Sequence, residues 1–504
     1  MNLQPRATFF LVLTVVALLS LLSFLPIGEL ADRKSIFSQL YSDSSICTTA
    51  GYEIPVDISP VEIAGKIDID KDLYIDSTKR ETVRRQKPDS VDDFLFVDST
   101  ADHTVHINHS DSLLSDTTAV GRPKAQPKPQ PIKPSSLVAI EDFSSSGEAL
   151  GRLYANMLQA KSMSRPVRIA VLGDSFIEGD IFTQDLREQL QSRFGGRGVG
   201  FVPITSMVAG FRQSVHHEFE GWSTHSIVNN RARGGYLMSS FTYTPSDDVA
   251  QVTYRGSRSR ARLNYFSKAR FLFRSLGSAK VKVSINGAVP QIFSTTPNVD
   301  LRQIVVGEDS IERVTFIVQG DDKFTAYGAY LDSSNGVSVD NYSVRGNSGA
   351  SLASIDAKLT GELGEMLPID LVIFEYGLNV VQGDEKSFSL YLAQMTTAIE
   401  HLKRCLPNVA ILVMSIPDRT RRSGDDWVTM PGVEAMARVQ RQLAHTTGVA
   451  FWNTLAAMRT RGGMSKFVER GWAAKDYTHL SQRGGREVAR ALFEALMYDM
   501  QSRY

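Results

Sequence analysis

The chain has 504 residues, enough for two or three domains. Its 55 basic and 55 acidic side chains cancel, which removes any global electrostatic case for nucleic acid or an acidic partner. Two cysteines, Cys47 and Cys405, make neither a disulfide framework nor a zinc spacing, and nine scattered histidines form no metal cluster, so no metal or organic cofactor is expected.

From the amino end, Phe9 to Leu25 is an unbroken apolar run with Arg6 before it and Asp32 to Lys34 after it. That fits a signal peptide or a short membrane anchor over 1–34. No small-x-small cleavage site follows "SFLPIGEL", which favours an anchor left in place and an exported chain. Residues 35–136 lack sustained apolar periodicity and end in "GRPKAQPKPQPIKPSS". Alternating proline and lysine favours an extended polyproline conformation without a core, so this stretch reads as a linker. His103, His106 and His109 within it read as ordinary polar residues rather than metal ligands.

The pattern turns globular at residue 137. Four apolar or β-branched runs read as strands buried on both faces: 167–172, 369–376, 409–415 and 448–453. Helical spacing recurs at Phe182, Leu186, Leu190 and Phe194, at Tyr391, Met395, Ile399 and Leu402, and at Val488, Leu492 and Leu496. Strands alternating with helices predict a parallel sheet wrapped on both faces. Between about 201 and 335 the alternation breaks into short β-rich segments separated by Gly, Ser, Asp and Pro turns. These predict an inserted antiparallel sandwich or jelly roll of six to eight strands. The organisation is thus 137–200 and 336–504 as two parts of one α/β domain, with 201–335 inserted between them. Both ends of the insert are expected at the carboxyl edge of the parallel sheet, bordering the ligand crevice. Within it Trp222, Tyr243 and Tyr327 read as core rather than as sugar-stacking rings, and the pair His216–His217 is equally ambiguous.

Ligands of parallel α/β sheets bind outside the carboxyl ends of the strands. Four polar groups fall there. Ser175 follows the first strand in "GDS"; "RGNSGASL" follows the probable strand "GVSVDNYSV"; "EYGLN" ends the next strand; and "KDYTHLSQRGG" precedes the last helix. Each is weak alone. A serine in a turn, a G-x-N tripeptide or an Asp-x-x-His cap is common. Arg419, Arg421, Arg422 and Trp427, in "PDRTRRSGDDW", read as a solvated charged loop rather than a cleft wall.

In order and at strand ends, the four blocks resemble those of the SGNH hydrolases, also called the GDSL family. The resemblance covers about 160–200 and 336–495. It implies a flavodoxin-like α/β fold and a Ser-His-Asp triad of Ser175, His479 and Asp476. It further implies an oxyanion hole made of the Ser175 amide, the Gly349 amide and the Asn379 side chain. Such a triad suits the chemistry: serine is a poor nucleophile until a base removes its proton, and a carboxylate holds that base in one tautomer. Two departures stand out. Val380 and Val381 follow Asn379 where the family commonly has Asp, which bears on how Asn379 is braced, and Phe176 replaces a common Leu.

The stretch "FGGRGVGFVP", the β-rich insert and "YLDSSNGVSVDNYSVRGNSGA" look like one branch of the family. That branch is the bacterial cell-surface O-acetylesterases, with a carbohydrate-binding-module-like insert. The resemblance implies removal of O-acetyl groups from an extracytoplasmic glycan, with peptidoglycan first among them. It implies an acetylated glycan as partner, a periplasmic or envelope location, and a membrane contact through the N-terminal segment. Two alternatives share the sequence: a glycan O-acetyltransferase using the same triad, and an anchored glycan-binding protein without catalysis.

Overall fold

The computed structural model describes residues 47–49, 52–54 and 133–504. The apolar run Phe9–Leu25, the three histidines of the linker and nearly all of 1–132 lie outside the described residues. Cys47–Thr49 and Tyr52–Ile54 form a two-stranded antiparallel hairpin, a unit described by itself. Among the described residues, no helix is long and apolar enough to cross a membrane.

The α/β part is built on six strands. They are β1 (Glu141–Asp142), β2 (Val167–Gly173), β3 (Val337–Ser343), β4 (Leu371–Glu375), β5 (Ala410–Met414) and β6 (Ala450–Trp452). Their order in the sheet is β3-β2-β4-β5-β6-β1, parallel except for β1. Eight helices accompany them: α1 (Gly151–Gln159), α2 (Thr183–Phe194), α3 (Ala357–Met366), α4 (Ser389–Cys405), α5 (Pro431–Thr447), α6 (Thr454–Arg459), α7 (Gly463–Glu469) and α8 (Gln482–Arg503).

The continuous apolar runs follow from burial on both faces. Side chains alternate across a strand, so Ile169 and Val171 of β2 and Leu371 and Ile373 of β4 enter one core with α1, α2 and α8. Ala170, Leu172, Val372 and Phe374 enter the other, with α3, α4 and α5. Each fully buried aliphatic side chain contributes about 1.5–3 kcal/mol. A polar residue at Ile373 would therefore cost the sheet on a face where no water can compensate.

The antiparallel strands lie between Gly200 and Asp332 and form a five-stranded and a six-stranded sheet sharing one core. This exceeds the six to eight strands expected. Most of the additions are sheet edges: Val215–Glu220 and Gln291–Thr295 flank one sheet, Asn298–Ile311 and Trp222–Ser226 the other. Edge strands face water along one side and carry polar or exposed residues, which erases the apolar signal that marks a central strand.

A second correction concerns where this region joins the sheet. The Val337 amide donates to the Gly195 carbonyl at 3.0 Å, and the Gly336 amide to the Ala160 carbonyl at 2.7 Å. Both junctions therefore lie at the amino ends of β2 and β3, opposite the edge predicted. The reason is α2, which starts near Ser175 and returns the chain across the sheet before the sandwich begins. The carboxyl edge is instead reached by a loop at 204–214, whose Arg212 pairs with Asp180 at 2.9 Å while Phe211 packs on Gly179. Inside the junction, buried Arg168 of β2 pairs with Asp340 at 2.8 Å and with Asp332 at the end of a sandwich strand. Tyr243 and Tyr327 are core residues. His217 is one too: its ring meets the Ile204 carbonyl at 3.0 Å, and burial lowers its pKa to about 3, so it stays neutral.

Candidate active site

Register aligns the site. Gly173 of β2 sits opposite Ser343 of β3 on one side and Glu375 of β4 on the other. The three strands therefore end level, and the loops bearing Ser175, Asn347–Gly349 and Gly377–Asn379 leave the same edge. Ser175 is 6% exposed at the start of a tight turn, its carbonyl accepting the Glu178 amide at 3.3 Å. The turn is pinned by the buried Asp180 carboxylate, which holds Arg187 at 3.0 Å as well as Arg212. Phe176 is buried near Phe182, so the bulkier ring is absorbed by packing.

Asn379 joins the three blocks. Its Nδ2 donates to Asp174 Oδ2 at 3.0 Å and to the Asn347 carbonyl at 3.3 Å. The brace left in question by Val380 and Val381 is thus Asp174, whose other oxygen accepts the Phe176 amide at 2.9 Å. The Gly349 amide donates to Asn347 Oδ1 at 2.9 Å. Gly349 has φ +90°, and a Cβ there would lie 2.8 Å from the Tyr376 ring and 3.0 Å from Met395 Sδ. Only glycine lets this amide approach so closely.

Behind these groups lies a second carboxyl that sequence reasoning missed. Glu375 and Asp174 are both fully buried. Burial pushes the Glu375 pKa well above the usual carboxyl range, the Asp174 charge pushes it further, and a hydrogen bond from the Asp174 amide only partly opposes them. Burial and the neighbouring charge thus both favour the protonated form of Glu375. Its only sequence trace is a glutamate ending an otherwise apolar strand.

The fourth block is held differently. His479 Nδ1 lies 2.7 Å from Asp476 Oδ2, while Asp476 Oδ1 accepts the amides of Thr478 and His479 at 2.9 and 3.0 Å. Burial by itself would raise the Asp476 pKa, but the hydrogen bonds from the His479 ring and these amides outweigh it and hold it at about 2. An ionised carboxylate only accepts hydrogen bonds, so Nδ1 carries the proton and Nε2 keeps its lone pair. The loop is anchored by Ser481, which caps α8, and by Gly485, where any Cβ would collide with the Ile181 carbonyl in the segment after Ser175. It is also held by the hairpin Thr420–Ser423/Asp426–Thr429: the Thr420 amide donates to the Tyr477 carbonyl at 3.3 Å, and Trp427 stacks on Tyr477 at 3.5 Å. Arg421 and Arg422 of the hairpin are exposed, as expected for a charged loop, but Trp427 is engaged and Arg419 donates to the Val381 carbonyl at 3.2 Å.

Residues 306–486 match the family model described as GDSL-like Lipase/Acylhydrolase. Over this stretch the chain is similar to that family. By class it is a carboxylic ester hydrolase. The match takes in Gly349, Asn379, Asp476 and His479, whereas Ser175 precedes it. Among solved structures, a peptidoglycan O-acetylesterase captured in action is 20% identical with a TM-score of 0.59, over 72% of this chain and 99% of that one. That likeness shows a shared fold, including the antiparallel region. A family two carbohydrate esterase from Cellvibrio japonicus is 10% identical with a TM-score of 0.24, over 58% of this chain and 99% of that one. No curated protein matches the chain.

Proposed function

We propose that the chain is a serine esterase that removes O-acetyl groups from an extracytoplasmic glycan, with peptidoglycan as its substrate. The observation carrying this reading is the Asp476–His479 pair on the loop before α8, at the sheet edge where Asn379 ties the Ser175 and Gly349 loops together. In the proposed reaction Ser175 Oγ attacks the acetyl carbonyl carbon while His479 Nε2 takes its proton. The bond between that carbon and the sugar oxygen then breaks, and the oxygen leaves with the proton from His479. Water repeats the sequence on the acetyl-enzyme, releasing acetate and restoring the serine.

The oxyanion would be met by the amides of Ser175 and Gly349 and by Asn379 Nδ2. In the free chain the latter two donors rest on Asn347, and Asn379 also on Asp174. A developing negative charge is a stronger acceptor than the neutral oxygens of Asn347 and draws the donors over, while Asp174 keeps Asn379 in place. The glycan assignment draws on the resemblance of the insert and on the fold shared with the peptidoglycan O-acetylesterase. The same reading takes 1–34 as leader or anchor, 35–136 as linker, 137–200 and 336–504 as hydrolase, and 201–335 as the inserted sandwich.

Acetate release by the purified full chain tests the proposal. O-acetylated peptidoglycan should be deacetylated faster than acetylated xylan, and Ser175→Ala should lower the rate on the order of 10⁴-fold or more. Acetate moved onto an acceptor glycan with little free acetate would make the chain a transferase. Equal slow rates for wild type and Ser175→Ala would make it a binding protein.

A further inference from the structure

A cavity of about 260 Å³ opens beside the loop that carries His479. Trp427, Thr420 and Thr429 of the hairpin line it, with Asp418 from the loop after β5, Arg459 at the end of α6, and Gly462 to Ser465 at the start of α7. Both β5 and β6 lead into it at their carboxyl ends, so it lies on the active-site edge of the sheet. The Trp427 indole is 39% exposed although its ring lies flat on Tyr477, inclined by only 9°. Tyr477 in turn takes φ +57°, a left-handed backbone that a bulky residue adopts only when its surroundings hold it there. Asp418 is 2% exposed, and its carboxylate is fixed by the Thr429 hydroxyl at 2.8 Å and the Met464 amide at 2.8 Å. The Thr420 hydroxyl is buried at the cavity wall and has no hydrogen-bond partner.

These groups have one chemistry in common. A flat aromatic face accepts the C–H face of a pyranose, an oriented carboxylate accepts from sugar hydroxyls, and a threonine hydroxyl serves as donor or acceptor. An acyl tail would leave the unpartnered Thr420 hydroxyl without a hydrogen bond against an apolar surface. The volume falls just below that of cavities that hold drug-sized ligands, which suits a single ring. We propose that this cavity is a sugar subsite, seating one ring of the glycan chain beside the residue being deacetylated. The proposal rests on the glycan reading above and specifies which residues select the polymer over a small ester. Because Trp427 also stacks on the Asp476–His479 loop, occupancy of the subsite and placement of the base are physically joined.

The test separates the two readings. A β-1,4-linked N-acetylglucosamine tetramer is titrated into the full chain carrying Ser175→Ala, with isothermal titration calorimetry as the readout. Saturable binding is expected, weakened about tenfold by added Trp427→Ala and about threefold by Thr420→Val, which keeps the side-chain shape. Absence of tetramer binding, or binding indifferent to both substitutions, overturns the subsite whatever the enzyme hydrolyses. In the Ser175 chain, the ratio of kcat/KM on O-acetylated glycan chains to kcat/KM on 4-nitrophenyl acetate should fall about tenfold in Trp427→Ala, mainly through KM, and recover in Trp427→Phe. Equal losses on both substrates would make Trp427 a support for the His479 loop alone and also overturn the subsite. Failure of the glycan reading looks different: the wild-type chain would cleave the nitrophenyl ester and release no acetate from any acetylated glycan.

Discussion

The two sides of the candidate site are held by different physics. On the oxyanion side, Asp174, Asn347 and Gly349 are buried, and a chain of hydrogen bonds through Asn379 crosses three strand ends. On the base side, the Asp476 and His479 side chains keep 47% and 25% of their surface exposed, and a surface hairpin lies against their loop. Groups that stabilise a developing charge work best preorganised in a dry, low-dielectric setting. On the base side it is the Asp476 carboxylate that stays open to water, while His479 Nε2 is itself buried. The contrast teaches that the atoms facing the reacting centre are buried on both sides, and that only the orienting carboxylate is left at the surface.

Three substitutions probe that difference, in order of effect. Asp476→Asn should cost most. The amide would present N–H to His479 Nδ1, favouring the tautomer with its proton on Nε2, where the serine proton must go. A fall in kcat on the order of 10³–10⁴ is expected. A loss under tenfold would show that the exposed side tolerates misorientation.

Asn379→Ala removes one oxyanion donor and should lower kcat on the order of 10²–10³ with a smaller change in KM. It also strips Asp174 of a buried hydrogen bond, so a measurable drop in denaturation midpoint is expected alongside. Loss of activity with no loss of stability would mean that the brace between Asn379 and Asp174 carries no structural weight.

The smallest effect concerns pH. Glu375 has a folded-state pKa raised above its unfolded value of about 4.3. As pH rises past that value the unfolded chain releases the proton while the folded chain keeps it, so folding loses stability until the folded pKa is reached. Glu375→Gln never ionises. Its stability relative to wild type should therefore improve as pH rises above the unfolded pKa. Urea denaturation at pH 5 and pH 8 measures it, and a pH-independent difference would show an ionised Glu375. Asp476 behaves oppositely. Its pKa is depressed to about 2, so its contribution is present above about pH 3.9 and fades only as pH falls toward 2.

Much of the α/β architecture was legible. The run at 167–172 and its three counterparts became strands because each could bury both faces, and Ser175, Asn379 and His479 were singled out because their blocks followed those strands in order. Less of the sandwich was legible, since its edge strands carry no apolar signature. Asp174 and Trp427 were visible as letters but not as partners. That Asp174 braces Asn379 depends on β2 and β4 lying side by side, 205 residues apart in sequence. That Trp427 meets Tyr477 depends on a hairpin folding across to a loop beyond three further helices.

Periodicity and turn chemistry act over a few residues, so the central strands of the parallel sheet, several of its helices and the residue types at the strand ends could be read from the chain alone. Folding settled what no local pattern carries: that the insert attaches at the amino edge, that Glu375 lies buried behind Asp174, and that a cavity opens beside the loop of His479. Each of these depends on which surfaces exclude water together, a property of the folded chain that no short stretch contains.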